Sequence, residues 1–201
     1  MNVLLFLANG FEHMESSVFI DVLGWARHRS GIDVTLTTCG FTQQVTSTFD
    51  VPVLVDRLID DVVVADYDAI AIPGGFWDFG FFDEAFDERF LALIREFHAQ
   101  GKILASICVA ALALGKSGIL QGRNATTYHL DGGKRHQELR AFGATVVDGP
   151  VVVDGTIITS YCPETAPRVA FTLLEMLTSA EKAGAVKKIM GYPADYAALR
   201  R

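Results

Sequence analysis

The sequence lacks several features that would place it in other classes of protein. No apolar run approaches the roughly 20 residues that a membrane-spanning helix needs. The 24 acidic residues outnumber the 17 basic ones and give a net charge of −7, so we expect neither a nucleic acid nor a membrane as a partner. The three cysteines, at positions 39, 108 and 162, lack metal-site or CxxC spacing, and we expect no metal. Their odd number, without a basic leader at the start, predicts a reducing cytoplasm.

Nucleotide-binding motifs are also missing, and we expect no cofactor. No Gly-x-Gly-x-x-Gly follows the first predicted strand, which argues against a dinucleotide site. Gly115-Lys116-Ser117 is similar to the end of a P-loop, but Ala110 stands where that motif requires its first glycine. The triplet also ends a predicted helix instead of starting one. A phosphate-binding loop is therefore not predicted.

What the chain does have is a regular alternation of strand and helix patterns. Half of its 201 residues are hydrophobic, and no linker or repeat interrupts them, so we predict a single domain over residues 1–201. Predicted strands cover residues 3–8, 33–38, 68–75, 103–107, 125–128 and 145–147. Residues 151–159 are predicted to form a hairpin, and residues 43–55 either a small hairpin or an excursion at the sheet edge. Predicted helices cover residues 15–29, 84–100, 109–114, 131–142 and 165–180, and the last twenty residues form a tail or final helix. This order predicts an α/β fold with a mostly parallel sheet and helices on both faces.

Chemically interesting residues fall at the carboxyl ends of these strands, where open α/β sheets form their ligand sites. The segments placed at this edge are Asn9-Gly10, Pro73-Gly74-Gly75, Cys108, Tyr128-His129 and Tyr161-Cys162.

Cys108 lies where an apolar strand pattern changes into an Ala- and Leu-rich helix pattern with no loop between them. Such an abrupt turn, a nucleophile elbow, exposes one side chain above the free N–H groups of a helix start. The helix dipole there favours the thiolate. The alternative is that Cys108 simply packs as a small hydrophobic residue, as free cysteines often do.

Carboxyl and backbone groups are expected to surround this sulfur. Glu15 starts the first helix and either complements the helix dipole or exchanges a proton with Cys108. Glu12 is either a second carboxyl at the same edge or a solvated loop charge. The N–H groups of Gly75 and Val109 together suit an oxyanion beside the sulfur, although Pro-Gly-Gly is also ordinary turn chemistry.

The combination of these segments resembles the ThiJ/PfpI superfamily, which includes the Parkinson-disease-associated deglycase. The resemblance rests on the segments 7–15 (LANGFEHME), 71–75 (AIPGG) and 105–112 (ASICVAAL), with weaker support from 125–129 and 159–160. It implies a flavodoxin-like three-layer sandwich of the class I glutamine amidotransferase type. Members are usually dimers, so the resemblance also implies a homodimer.

The resemblance implies that Cys108 is a nucleophile with Glu15 as its proton partner, and that Gly74, Gly75 and Val109 form an anion pocket. It implies an enzyme acting on a small electrophilic molecule, by hydration or hydrolysis of the glyoxalase III or deglycase type. The alternatives are an isocyanide hydratase or amidase activity, or a redox-sensing stress protein or chaperone in which Cys108 is oxidised.

This chain departs from the superfamily at two positions. Protease-like members have a histidine directly after the nucleophile, where this chain has Val109, so a Cys-His pair is not expected. Deglycase-like members have histidine after the Thr-Thr pair; here Tyr128 holds that place and His129 follows it. Since a one-residue shift along a strand reverses a side chain's facing, we expect only one of the two to face Cys108. The alternative is that the strand ends before His129, which then turns into the pocket.

Two further features of the sequence each allow two interpretations. Cys162 is either a resolving thiol for Cys108 or a small filler residue, and Cys39 is expected to be structural. The aromatic residues 76–86, beginning with Phe76, either line an apolar substrate pocket or bury themselves in a core or dimer interface.

Overall fold

The computed structural model describes residues 1–193 and is built around one central β-sheet. The strands are β1 (Asn2–Phe6), β2 (Thr35–Gly40), β3 (Gln44–Thr46), β4 (Pro52–Leu54), β5 (Arg57–Leu58), β6 (Ala69–Ile72), β7 (Ile103–Ser106), β8 (Asn124–Ala125), β9 (Thr145–Val146), β10 (Val151–Asp154) and β11 (Ile157–Ser160). The helices are α1 (His13–Ser30), α2 (Phe81–Ala85), α3 (Glu88–Ala99), α4 (Ala111–Lys116), α5 (Lys134–Ala141), α6 (Ala166–Leu177) and α7 (Ala180–Ile189).

The central sheet has seven strands in the order β10-β11-β7-β6-β1-β2-β5. All of its neighbouring strands pair in parallel except β10 and β11, which form an antiparallel hairpin. Because these strands point the same way, the carboxyl ends of β1, β6 and β7 meet at one edge. The predicted mostly parallel sheet is confirmed.

Helices cover both faces of this sheet. On one face α1, α6 and α7 pack against one another, and on the other α2, α3, α4 and α5 form a continuous layer. Strands β1 and β6 lie in the middle and carry apolar side chains that are almost all buried. Phe6 of β1, for example, stacks on Phe90 of α3 with ring centroids 3.7 Å apart. The α/β, flavodoxin-like three-layer sandwich predicted from the sequence is therefore confirmed.

Both predicted hairpins are present. β3 and β4 pair antiparallel, and β10 and β11 are joined through Gly155, whose φ of 61° suits the predicted Asp-Gly turn. The prediction of one domain over residues 1–201 stays a prediction.

Several predicted helix boundaries are wrong for local reasons. The helix expected over 84–100 is two helices, because Asp87 accepts a hydrogen bond from the Arg89 N–H and starts α3 afresh. The helix expected from 131 begins only at Lys134, since Gly132 and Gly133 both have positive φ.

The carboxyl-terminal half shows two further differences. The strand expected over 125–128 ends at Ala125. Beyond it, threonine hydroxyl groups replace strand-to-strand hydrogen bonds: the Thr126 N–H donates to the Thr159 hydroxyl, and the Thr127 hydroxyl donates to the Cys108 carbonyl. α6 ends at Leu177, and the Ser179 side chain caps α7 by accepting from Lys182 N–H. Part of the predicted tail, residues 194–201, lies outside the described residues.

Candidate active site

The turn at Cys108 is as abrupt as the sequence indicates. β7 ends at Ser106, and Cys108 has a φ of 57°, in the left-handed region that non-glycine residues rarely adopt. The chain then continues directly into a tight helical turn, Cys108–Ala110, and α4. The Thr127 hydroxyl donates a 2.8 Å hydrogen bond to the Cys108 carbonyl and helps to hold this conformation. The nucleophile elbow is confirmed as a feature of the fold.

Glu15 approaches this elbow from α1. Glu12 caps that helix by accepting from the Met14 N–H, which places Glu15 in its first turn, fully buried. Its Oε2 accepts a 2.6 Å hydrogen bond from the Gly74 N–H. The other carboxyl oxygen, Oε1, has no nitrogen or oxygen partner among the described residues, and the carboxyl interacts with the Cys108 thiol.

Burial raises the pKa of the Glu15 carboxyl to about 8, and the negative charge of Glu12 adds to this rise, while the Gly74 N–H opposes it. Glu15 is therefore protonated at neutral pH. Because Oε2 accepts from the Gly74 N–H, the proton belongs on Oε1, and the protonated carboxyl interacts with the Cys108 thiol. The carboxyl is an acid held ready beside Cys108.

The Cys108 thiol differs from the prediction. Burial raises its pKa above the ordinary value, and a negative charge on Glu15 raises it further, whereas the Val109 N–H lowers it. The prediction that the helix start favours the thiolate is wrong, because the loss of water outweighs the helix dipole. Thiol and carboxyl thus act as a pair that holds both protons at neutral pH and shares one negative charge after the first is lost.

Gly74 and Gly75 are required because no side chain fits between the groups they touch. A Cβ on Gly74 would lie 2.9 Å from the Cys108 Cβ and 3.0 Å from Glu15 Oε2. A Cβ on Gly75 would lie 2.3 Å from the Gly10 carbonyl oxygen. Gly75 also forms an isolated antiparallel bridge with Phe11.

That bridge leaves one N–H group for the site. Its hydrogen bonds run from the Glu12 N–H to the Gly74 carbonyl and from the Phe76 N–H to the Gly10 carbonyl. The Gly75 N–H takes part in neither. The Gly75 N–H and the Val109 N–H are the two donors that the sequence predicts for an oxyanion beside the Cys108 sulfur.

A cavity of about 350 Å³ opens above Cys108, within the usual size range of small-molecule sites. Its lining residues are Glu12, Glu15, Gly75, Phe76, Trp77, Asp78, Cys108, Val109, Tyr128, Asp131, Arg135 and Pro163.

The structure separates Tyr128 from His129. Tyr128 lines the cavity, and burial raises the pKa of its phenol. His129 does not line it; its ring lies on Tyr161 with centroids 3.9 Å apart. Of the two, only Tyr128 lines the cavity with Cys108, and because β8 ends at Ala125 strand alternation does not account for the choice. A role for the His129 ring at the reacting atoms is not supported.

The two other cysteines occupy different environments. Cys39 is fully buried, and burial raises its pKa to about 12, in keeping with a structural role. Cys162 is partly buried at the start of a helical turn and does not line the cavity, although its neighbour Pro163 does. The three thiols are free.

Residues 76–86 divide between core and cavity. Phe81 and Phe82 are buried, whereas Phe76 and Trp77 are 44% and 67% exposed and form one side of the cavity mouth. The expectation of an aromatic pocket wall therefore holds for the beginning of this segment only.

The prediction from sequence missed Asp78, Asp131, Arg135 and Pro163. Arg135 and Asp131 have the spacing of a helical ion pair, with 3.7 Å between Arg135 Nε and Asp131 Oδ2. That spacing alone does not show that the pair faces the cavity.

Among residues 1–193 no group of three or more His, Cys, Asp or Glu side chains is placed to hold a metal ion. None of the helices in this range is long and apolar enough to cross a membrane.

Fold and site together define a class: an α/β protein with a cysteine on a strand-to-helix elbow and a carboxyl partner from the first helix. The chain belongs to the DJ-1/PfpI family, whose sequence profile matches residues 1–176, which confirms the ThiJ/PfpI resemblance.

Individual relatives agree with this assignment. Protein DJ-1 homolog A of Arabidopsis thaliana is 32% identical over 189 residues, covering 94% of this chain and 46% of the relative. The chain thus spans less than half the length of that relative. An isonitrile hydratase of Pseudomonas putida is 33% identical over 162 residues, covering 80% of this chain and 62% of the relative. The crystal structure of Drosophila melanogaster DJ-1beta superposes with a TM-score of 0.83 at 29% identity, covering 96% and 98% of the two chains.

Proposed function

We propose that the protein is a cysteine-dependent enzyme that adds water to, or hydrolyses, a small electrophilic substrate, with glyoxalase III or deglycase chemistry. The observation that carries this proposal is the buried pair of Cys108 and protonated Glu15 beneath a cavity that admits a small molecule. A buried carboxyl with one oxygen that lacks a nitrogen or oxygen partner is costly to the fold, and here the carboxyl interacts with the Cys108 thiol.

The pair loses its first proton mainly from Glu15, and the reactive form is the arrangement in which the thiol proton has passed to that carboxylate, which leaves the charge on sulfur. The sulfur of Cys108 bonds to the aldehyde carbon of a 2-oxoaldehyde while Glu15 gives its proton to the aldehyde oxygen. The N–H groups of Gly75 and Val109 stabilise the negative charge that develops on that oxygen. The product is a neutral hemithioacetal and an ionised Glu15 carboxylate, which then serves as a base.

The overall reaction needs no added oxidant. One water is taken up, the aldehyde carbon is oxidised to a carboxylic acid, and the neighbouring ketone carbon is reduced to an alcohol. Glu15 and the Tyr128 phenol are the cavity's candidates for moving the protons.

The test is turnover of methylglyoxal by the wild-type protein and by Cys108→Ala. We expect wild-type activity that rises with pH up to about 8, where the pair loses its first proton. The variant should lose at least about a thousandfold in kcat. A well-folded wild-type protein that is inert on methylglyoxal would contradict the glyoxalase proposal.

Two other functions are kept as outcomes of the same experiment. Turnover of an isocyanide or amide in place of methylglyoxal would move the reaction toward the activity named for the Pseudomonas putida relative. If no substrate is turned over, and mild peroxide adds two oxygens to Cys108 only, redox sensing replaces catalysis.

We also propose a homodimer. Large apolar side chains are exposed on α1 and on the β3–β4 hairpin: Met14, Ile20, Trp25, Phe49, Val51 and Leu54. Exposed apolar side chains of this size favour burial against another chain. Light scattering should give twice the chain mass of 21.9 kDa, and Leu54→Asp should lower it toward one chain; a monomeric wild-type protein would contradict the proposal.

We also propose that the protein is cytoplasmic. Three free cysteines are expected of a protein kept in the reducing cytoplasm.

A further inference from the structure

The charges around the cavity mouth are unequal. Glu12, Asp78 and Asp131 contribute three carboxyl groups to the lining, whereas Arg135 contributes one guanidinium group. Glu15 adds no charge at neutral pH because it is protonated. The lining as a whole is therefore acidic, as is the chain with its net charge of −7.

Arg135 is not free to receive an anionic substrate. Its guanidinium lies 2.8 Å from Glu138 Oε2 and 3.7 Å from Asp131 Oδ2. It also lies over the Phe82 ring, 5.0 Å from the centroid. Only 16% of its side chain is exposed. With both carboxylates in place, Arg135 fixes α5 beside the cavity and offers little positive potential to a ligand.

Another part of the mouth is apolar, and its aromatic side chains keep much of their surface exposed although Phe76 packs near Phe79 and Trp77 near Phe82. Phe76 and Trp77 leave 44% and 67% of their surface exposed, and Val109, Tyr128 and Pro163 continue this wall toward Cys108. Exposed aromatic faces attract flat apolar groups and cations but give an anion nothing in return.

We infer that the cavity selects electrophiles that are neutral or positively charged and carry an apolar or aromatic substituent, and that it rejects those bearing a carboxylate. This inference rests on the proposed function for the identity of the nucleophile, and it names the substrate class of that site. Asp78 and Trp77 are the specificity residues, since neither is held in the ion pairs of Arg135.

A matched pair of reagents measures this selectivity at Cys108 without relying on turnover. Iodoacetamide and iodoacetate have nearly the same size and react with thiols by the same displacement, but only iodoacetate is charged. Their rates at Cys108, followed by site-resolved mass spectrometry, are each divided by the rate with N-acetylcysteinamide. The fraction of thiolate cancels in the ratio.

We expect the normalised ratio of iodoacetamide to iodoacetate rates to be at least about ten at low salt and to fall as salt is added. Asp78→Asn should lower the ratio by about twofold, because it removes one negative charge from the mouth. Asp33→Asn, the same charge change at the opposite edge of the sheet, should leave it unaltered.

The substituent is tested with phenylglyoxal and 4-carboxyphenylglyoxal as substrates. The first should have a kcat/KM at least about tenfold higher than the second, and Trp77→Ala should narrow the difference between phenylglyoxal and methylglyoxal.

The outcomes separate the two proposals. If the wild-type protein turns over none of these substrates, the proposed function is contradicted. The ratio of iodoacetamide to iodoacetate rates still tests whether the cavity disfavours negatively charged molecules. A ratio near one, a faster reaction with iodoacetate, or no reaction of Cys108 with either reagent would overturn the inference.

Discussion

The inner and outer walls of the cavity are built in different ways. The inner wall consists of Cys108, Glu15 and the Gly74-Gly75 backbone, where groups approach so closely that a single Cβ would collide. The outer wall consists of side chains from residues 76–78 and from the region of α5, several of them exposed. Backbone packing therefore fixes the reacting groups, whereas exposed side chains that tolerate substitution form the part of the cavity that a substrate meets first.

The largest effect should come from the ionisation of Glu15 in the inner wall. Its pKa is raised from 4.5 to about 8, so the folded protein keeps a proton that the unfolded chain loses. The stabilisation is complete below about pH 4.5 and is lost as the pH rises to about 8, at about 1.4 kcal/mol per pH unit.

Urea unfolding of the wild-type protein and of Glu15→Gln, at several values between pH 5 and 8, measures this effect. The stability of the wild-type protein relative to the variant should fall steadily with pH. Glu181→Gln, which alters an exposed carboxyl at the start of α7, should give a constant difference. A constant difference for Glu15→Gln as well would mean that the carboxyl is already ionised at pH 5.

The next effect concerns the close backbone approach. Gly75→Ala places a Cβ 2.3 Å from the Gly10 carbonyl oxygen and should reduce the free energy of unfolding by about 3 kcal/mol. Gly184→Ala in α7 has open space and should raise stability by about 0.5–1 kcal/mol. Equal effects at the two sites would show that the inner wall is as tolerant as a surface helix.

A smaller effect on stability is expected from the hydrogen bond between the Thr127 hydroxyl and the Cys108 carbonyl. Thr127→Val keeps the shape of the side chain but removes the hydrogen bond to the Cys108 carbonyl. It should cost about 1–2 kcal/mol of stability and lower activity together with it. Thr172→Val, which removes a similar bond on the surface of α6, should leave activity unchanged. A loss of activity in both variants would contradict a specific role for Thr127.

The smallest effect is expected on catalysis, from substitutions of Tyr128 and His129. Tyr128→Phe should lower kcat/KM by up to about tenfold, since the phenol faces the cavity. His129→Phe preserves the contact with Tyr161 and should change kcat/KM by less than about twofold. The opposite order would return the acid–base role to His129.

Most residues of the inner wall could be predicted from the sequence, whereas several residues of the outer wall could not. Cys108, Glu15 and Gly75 were predictable because each follows or starts an element whose end must reach the same edge of a parallel sheet. The sequence predicted that one of Tyr128 and His129 faces Cys108. Which one does so depends on the exact residue at which β8 ends, and the sequence does not show it. Arg135 and Asp131 were not found, because their position depends on how α5 packs after Gly132 and Gly133. The pKa of Cys108 was predicted in the wrong direction, since burial is a property of the whole packed structure.

We expect Cys108 and Glu15 to share a single negative charge after the first proton is lost. The pH dependence of iodoacetamide modification at Cys108, in the wild-type protein and in Glu15→Gln, measures whether they do. Because an ionised Glu15 raises the pKa of the thiol, the profile of the variant should lie at lower pH than that of the wild-type protein. Profiles that coincide, or a wild-type thiol that is already fully reactive below pH 7, would contradict the claim.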